Sequence, residues 1–159
     1  MHIREFMSTN VKVCVPGSSC AKAGGMMRRN QRGFLLVVDS LKSRRVIGMV
    51  TDRDIMLYLI HLDVHASQVA VNVCMTGAPL MISAEAELDV AVRVMKKEAL
   101  YRLPVLDDGK LVGLLSLEDL ALAARRQWAY VGPQLNEHVT EILESIAVAR
   151  ENHRKHAWR

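Results

Sequence analysis

Gly48-Met49-Val50-Thr51-Asp52-Arg53-Asp54 is matched 65 residues later by Gly113-Leu114-Leu115-Ser116-Leu117-Glu118-Asp119. Both stretches read Gly-x-x-(Thr/Ser)-x-x-Asp, at a point where an apolar strand pattern gives way to a helical one. The hydroxyl is an N-cap, and the acid three residues on favours the positive end of the helix. Capping does not compete with a ligand role. A carboxylate at a helix start can accept from two vicinal ribose hydroxyls, and spare amides there suit a phosphate. One Thr-x-x-Asp means little, but two copies behind glycine-bearing strands point to a duplicated unit.

Working outward from the pair, Met7-Ser8-Thr9 overlays Met75-Thr76-Gly77, 68 residues later. At the same offset Ala23 falls on Ala91, Met27 on Met95, Leu35 on Leu103, Val37 on Val105 and Asp39 on Asp107. The first copy then takes a longer polar turn, Ser40-Leu41-Lys42-Ser43-Arg44-Arg45, where the second has Asp108-Gly109-Lys110. A turn is where a repeat tolerates an insertion. Each copy reads β-α-β-β-α. A strand (11–15; 80–83) leads to a helix (18–29; 86–98), then to two strands (34–39 with 46–51; 102–107 with 111–116) and a closing helix (52–61; 117–126). Gly24-Gly25 weakens the first helix by about 1 kcal/mol per glycine.

The expected fold class is α/β (α+β): two β-α-β-β-α repeats, 5–62 and 73–126, packed with pseudo-two-fold symmetry, plus a C-terminal helix. A lone unit of this size leaves an apolar sheet face uncovered, which is why two should pack together. The break at Gly132-Pro133 precedes a helix over 134–152, in which Leu135, Val139, Ile142, Ile146 and Ala149 form a heptad seam. Two heptads do not make a free-standing coiled coil, so the seam is expected to dock on this chain's own repeats or on a symmetry mate.

The chain has 159 residues, 50% hydrophobic and 24% charged, enough to bury a core without disulfides or metal. Apolar runs such as Phe34-Leu35-Leu36-Val37-Val38 fall far short of a membrane span, and Met1-His2-Ile3-Arg4-Glu5 has no apolar stretch of signal-peptide length, so neither a membrane protein nor an exported one is expected. Three cysteines, Cys14, Cys20 and Cys74, lack C-x-x-C spacing and sit among apolar neighbours, which fits a reducing cytoplasm. Of the net charge of +4, residues 150–159 carry +3, so the body is nearly neutral. The basic tail 153–159 is expected to be a solvated end, with a contact to nucleic acid or anionic lipid as the alternative reading. His61 and His65 lie four apart but lack the intervening acid and further ligands of a metal site. No nucleophile elbow, Walker loop or paired-carboxylate pattern is present, so no catalytic residue is assigned.

Val46-Ile47-Gly48-Met49-Val50-Thr51-Asp52-Arg53-Asp54-Ile55 and Tyr101-Arg102-Leu103-Pro104-Val105-Leu106-Asp107 resemble the paired CBS (cystathionine β-synthase) domains. The openings Phe6-Met7-Ser8 and Cys74-Met75-Thr76 look like the starts of that family's repeats, and the resemblance covers roughly residues 5–126. It implies a regulatory module with two clefts that take adenosine compounds. Each cleft joins a ribose Asp from one repeat to adenine contacts from the other. By that resemblance cleft A comprises Thr51, Arg53, Asp54, Leu80, Tyr101, Arg102 and Pro104, and cleft B comprises Lys12, Gly33, Phe34, Leu36, Ser116 and Asp119. One departure is Leu36, which stands where the second repeat has Pro104 and alters the backbone beside cleft B.

The expected function is therefore that of a non-enzymatic cytoplasmic sensor binding AMP, ADP or ATP in the cleft between the repeats, with no catalytic cofactor. It is expected to form a homodimer. The alternatives are a ligand-free interaction module regulating a protein partner in trans, an S-adenosylmethionine or dinucleotide sensor, and an enzyme using Asp54 as base. Arg53 and Arg102 mark cleft A as the phosphate-bearing site. Cleft B has Glu118 and Phe34 at the matching positions, with Lys12 and Arg32 offsetting Glu118 in part.

Overall fold

The computed structural model describes residues 1–126 and 132–157. Its elements run β1 (Val13–Cys14), α1 (Cys20–Arg29), β2 (Phe34–Val38), β3 (Val46–Thr51), α2 (Asp52–Leu62), β4 (Thr76–Gly77), β5 (Ile82–Ser83), α3 (Leu88–Lys97), β6 (Arg102–Asp107), β7 (Lys110–Ser116), α4 (Leu117–Arg126) and α5 (Gly132–Ala157). Both β-α-β-β-α repeats are thus present, with the fold class read from the sequence, and the C-terminal helix is longer than expected. The basic tail's side chains, 153–159, lie outside what the structure describes. No helix among the described residues is long and apolar enough to cross a membrane.

The chain divides into two compact units. One comprises Val11–Pro79 with Asp108–Leu111; the other comprises Met1–Asn10, Leu80–Asp107 and Val112–Arg159. In the first, the sheet order is β1-β2-β3-β4, with β1 parallel to β2 and the other pairs antiparallel. Its core gathers Cys14, Cys20, Ala23, Met27, Leu35, Val37, Val50, Ile55 and Val71. Residues 35–38 are all buried because the strand is covered on both faces, so its apolar run is continuous and not alternating.

In the second unit the sheet order is β5-β6-β7, and Ile82, Leu88, Met95, Leu103, Leu115 and Leu120 are among its core residues. The stripe Leu88, Ala91, Val92 and Met95 is buried as its helical spacing predicts. Helix α5 docks on this unit: Leu135, Ile142 and Ile146 are 0–3% exposed in its core, and Lys96 Nζ of α3 meets Glu141 Oε2 at 2.9 Å. Of the two dockings expected for the heptad seam, the chain's own repeat is the one found.

Each repeat's opening residues lie in the unit of the other repeat. Ser8 exchanges two 2.9 Å backbone hydrogen bonds with Leu114 of β7. Thr76 and Gly77 of β4 pair with Met49 and Gly48 of β3. This exchange explains the motif glycines. A Cβ on Gly48 would stand 2.5 Å from the carbonyl oxygen of Thr76, and one on Gly113 would overlap the Met7 side chain. At Gly48 the obstacle is backbone, so only a residue without a side chain lets β3 and β4 meet there; at Gly113 it is the Met7 side chain.

Candidate functional site

Two hydroxyl–carboxylate boxes stand at the strand-to-helix junctions. At the start of α2, Asp54 Oδ2 accepts from the Thr51 amide at 2.9 Å and from Thr51 Oγ1 at 2.7 Å, while the Asp54 amide donates back to Thr51 Oγ1 at 3.1 Å. At the start of α4, Asp119 Oδ2 accepts from the Ser116 amide at 2.8 Å and from Ser116 Oγ at 2.5 Å, and the Asp119 amide donates to Ser116 Oγ at 3.1 Å. Extended backbone at Thr51 (φ −109°, ψ 161°) turns its hydroxyl toward the helix, as an N-cap must. In both boxes Oδ2 takes every bond, and Oδ1 has no partner among the described residues. Each carboxylate is held in orientation by one oxygen and presents the other.

The amides at the start of α2 do not fit the expectation of spare donors. Asp52 N donates to Gly33 O at 2.9 Å, Arg53 N to Asp52 Oδ1 at 2.7 Å, and Asp54 N to Thr51 Oγ1. The helix start keeps its positive potential, but its first three amides already have acceptors. An anion here therefore depends on side-chain cations.

The sequence-assigned residues divide between the two units. The first unit holds Thr51, Arg53 and Asp54 of set A, with Lys12, Gly33, Phe34 and Leu36 of set B. Phe34 lies directly opposite Thr51 in the β2–β3 register, and Gly33 accepts from Asp52 as above. Gly33 and Asp52 also line a 390 Å³ cavity with Arg28 and Arg32. Lys12 and Arg53 are exposed, whereas Leu36 is 1% exposed and paired on both sides, with Val13 and Met49. The second unit holds Leu80, Tyr101, Arg102 and Pro104 of set A, with Ser116 and Asp119 of set B. Leu80 is 52% exposed, Pro104 is buried, and Tyr101 O accepts from the Leu117 amide at 3.0 Å. Each unit thus puts the carboxylate box of one set beside strand residues of the other.

Two features of the second unit were not read from the sequence. Arg102 Nη2 donates to Glu118 Oε1 at 3.0 Å, joining two residues that the sequence reading treats separately. Arg150 of α5 places its guanidinium carbon 5.2 Å from the centroid of the Tyr101 ring, within cation–π range. In the sequence alone, Arg150 stands out only as part of the basic charge of residues 150–159. The signal available was the extension of the helical seam through Ala149, which carries residue 150 on the same docked helix. Among the described residues, no group of three or more His, Cys, Asp or Glu side chains could hold a metal ion.

The CBS domain family matches this chain twice, at residues 3–61 and 67–126. The Bacillus subtilis protein YlbB is 30% identical over 145 residues, covering 91% of this chain and 90% of its own. CBSX2 of Arabidopsis thaliana superposes with a TM-score of 0.67 at 27% identity, over 79% of this chain and 94% of that one. A structure of CBSX2 in complex with AMP gives 0.65 at 27% identity, over 79% of this chain and 96% of that one.

Proposed function

Since the chain belongs to the CBS domain family and its paired repeats form a regulatory module, we propose that it is a non-enzymatic sensor of an adenosine nucleotide of the AMP, ADP or ATP type. The observation that carries this reading is the pair of boxes in which Asp54 and Asp119 are each fixed through Oδ2 and offer Oδ1. That arrangement suits the two vicinal hydroxyls of a ribose, which need an acceptor already held in place. The AMP held by CBSX2, a structural relative, supports the ligand class.

In this reading Asp54 and Thr51 hold the ribose, Arg53 and Arg102 face the phosphate, and Leu80, Tyr101 and Pro104 contact the adenine. Asp119, Ser116, Lys12, Gly33, Phe34 and Leu36 form the second and weaker set. Ligand binding biases the two repeats toward one arrangement, and that bias is what a partner reads. A homodimer is part of the proposal, and so is a reducing cytoplasm, which fits three free cysteines. A second reading, an interaction module acting in trans, draws on one observation. Met56, Leu57 and Ile60 of α2 are 50–72% exposed.

Thermal shift with a panel of AMP, ADP, ATP, S-adenosylmethionine and NAD tests the proposal, because binding to the native state alone raises Tm. Stabilisation by an adenosine nucleotide that is recovered unchanged is the expected result. No shift with any compound overturns the sensor in favour of the interaction module, and consumption of the nucleotide overturns the non-enzymatic assignment.

A further inference from the structure

Cys20 and Cys74 are 54 residues apart in sequence, yet their Sγ atoms lie 3.6 Å from one another. Backbone hydrogen bonds hold them there. Cys20 N donates to Val69 O at 2.8 Å, Val71 N donates to Ser18 O at 2.8 Å, and Ser19 bridges Ala70. Cys20 opens α1 and is 1% exposed; Cys74 follows the 3-10 turn Val71–Val73, is partly exposed and runs straight into β4. A disulfide needs the sulfurs at about 2.05 Å, an approach of about 1.5 Å from where they stand.

We propose that Cys20 and Cys74 are a redox pair which hydrogen peroxide closes to an intramolecular disulfide. Cys74, the more exposed thiol, attacks one peroxide oxygen. The O–O bond breaks, water leaves and Cys74 becomes a sulfenic acid. Cys20 Sγ then attacks Cys74 Sγ, the S–O bond breaks, and a second water leaves with the Cys20 proton. Two thiols and one hydrogen peroxide give one disulfide and two waters; the sulfurs are oxidised and the peroxide oxygens reduced.

The setting makes the closure slow. Burial, then the Cys20 sulfur and the charge of Asp54, push the Cys74 thiol up to about 12, so thiolate is scarce at neutral pH. Cys14 is a bystander, 3% exposed, with its thiol pushed up to about 11 by burial and by Cys20. Closing the bond ties the start of α1 to the segment entering β4. That strand lies against β3, which ends at the Thr51–Asp54 box.

The experiment exposes the full chain to hydrogen peroxide, counts thiols after denaturation and measures intact mass. The expected result is a fall from three thiols to one and a loss of about 2 Da, both reversed by dithiothreitol, with a linked Cys20–Cys74 peptide on digestion. Cys14→Ala should behave as the wild type. Cys20→Ser should stop at a Cys74 sulfenic acid that dimedone traps. Three thiols persisting under sustained peroxide, a disulfide that includes Cys14, or one between chains would each overturn the proposal. If Cys20→Ser does not fold, the wild-type peptide map and Cys14→Ala decide it.

Discussion

Arg102 Nη2 meets Glu118 Oε1 at 3.0 Å, so one of the two guanidiniums assigned to the phosphate is already shared with a carboxylate of its own repeat. Glu118 lowers the positive potential that Arg102 can offer an anion. The first repeat has Phe34 and Arg53 at the corresponding positions, so the pair is not duplicated. Glu118→Gln should tighten AMP or ATP binding by about three- to tenfold, with a larger gain for ATP. With side chains 34% and 59% exposed, the ion pair itself contributes only about 0.2–1 kcal/mol to stability. Calorimetry of the variant decides the matter: weaker nucleotide binding would show that Glu118 positions Arg102 for the ligand instead of restraining it.

The two boxes make a matched pair of controls. Asp54→Ala and Asp119→Ala each remove the carboxylate half of a capping box, so each should cost about 1 kcal/mol of stability in urea unfolding. Their effects on AMP or ATP binding should differ. Asp54→Ala should weaken it by ~2–4 kcal/mol, roughly 30- to 1,000-fold, because Oδ1 no longer accepts from the ribose, and Asp119→Ala should change it little. Loss of binding in Asp119→Ala with Asp54→Ala spared reverses the assignment of the two sets.

Gly48 faces Gly77 across the β3–β4 ladder, and its missing side chain is what admits the Thr76 carbonyl. Gly48→Ala should destabilise by about 1–3 kcal/mol, the usual cost of overfilling a packed site. Gly24→Ala is the contrast: nothing lies within 4 Å of a Cβ there, and alanine is the better helix former. It should stabilise by up to about 1 kcal/mol. Chemical denaturation of both variants checks the pair, and a Gly48→Ala chain as stable as wild type would remove the steric reading of the motif glycine.

Much of this was legible in the sequence for a physical reason: duplication. Two weak signals at one spacing, Thr51/Asp54 and Ser116/Asp119, reinforce each other and fix both the repeat order and the helix starts. What was not legible is pairing between segments far apart in the chain. The exchange of the openings around Ser8 and Thr76, which gives Gly113 and Gly48 their role, leaves no local pattern. Nor does the approach of Cys20 to Cys74, since C-x-x-C spacing detects only local pairs. The acceptors of the amides at the start of α2 leave no local pattern for a related reason. Thr51 and Asp54 advertise a cap, but the carbonyl of Gly33 that takes the Asp52 amide comes from another strand's entry.

Asp39 anchors the longer turn of the first repeat. Its carboxylate accepts from Ser43 Oγ, from the Ser40 amide at 2.7 Å and from the Arg45 amide at 3.2 Å, and Arg45 Nη2 lies 3.2 Å away. The Ser43 hydroxyl first, then those amides and the Arg45 charge, hold Asp39 below the ordinary carboxylate range. A carboxylate whose pKa is depressed on folding adds stability above its unfolded value, near 4, and that contribution fades as pH falls through the folded value. Asp39→Asn should therefore be less stable than wild type at pH 7, with the gap closing below about pH 4. A gap that stays constant down to pH 2 would mean that the carboxylate's charge plays no part.

Helix α2 carries the one large apolar stripe that the described residues leave bare on a helix of either repeat. Met56, Leu57, Ile60 and Leu62 are 51%, 50%, 72% and 48% exposed. At the matching positions α4 carries Ala121, Leu122 and Arg125, a less apolar stripe, and α5 packs on α4 elsewhere. An exposed apolar stripe on a small chain marks an interface, and a second copy is the partner always present at equal concentration. The protein should be a homodimer joined through α2. Ile60→Asp should give a monomer by light scattering at micromolar concentration while leaving unfolding stability nearly unchanged, since Ile60 is mostly solvent-exposed in the single chain. Removing residues 132–159 should act differently. Leu135, Ile142 and Ile146 are core side chains, each worth about 1.5–3 kcal/mol of burial, so the truncated chain should lose its cooperative unfolding. A folded dimer after that truncation would make α5 an accessory, and an Ile60→Asp dimer would move the interface off α2.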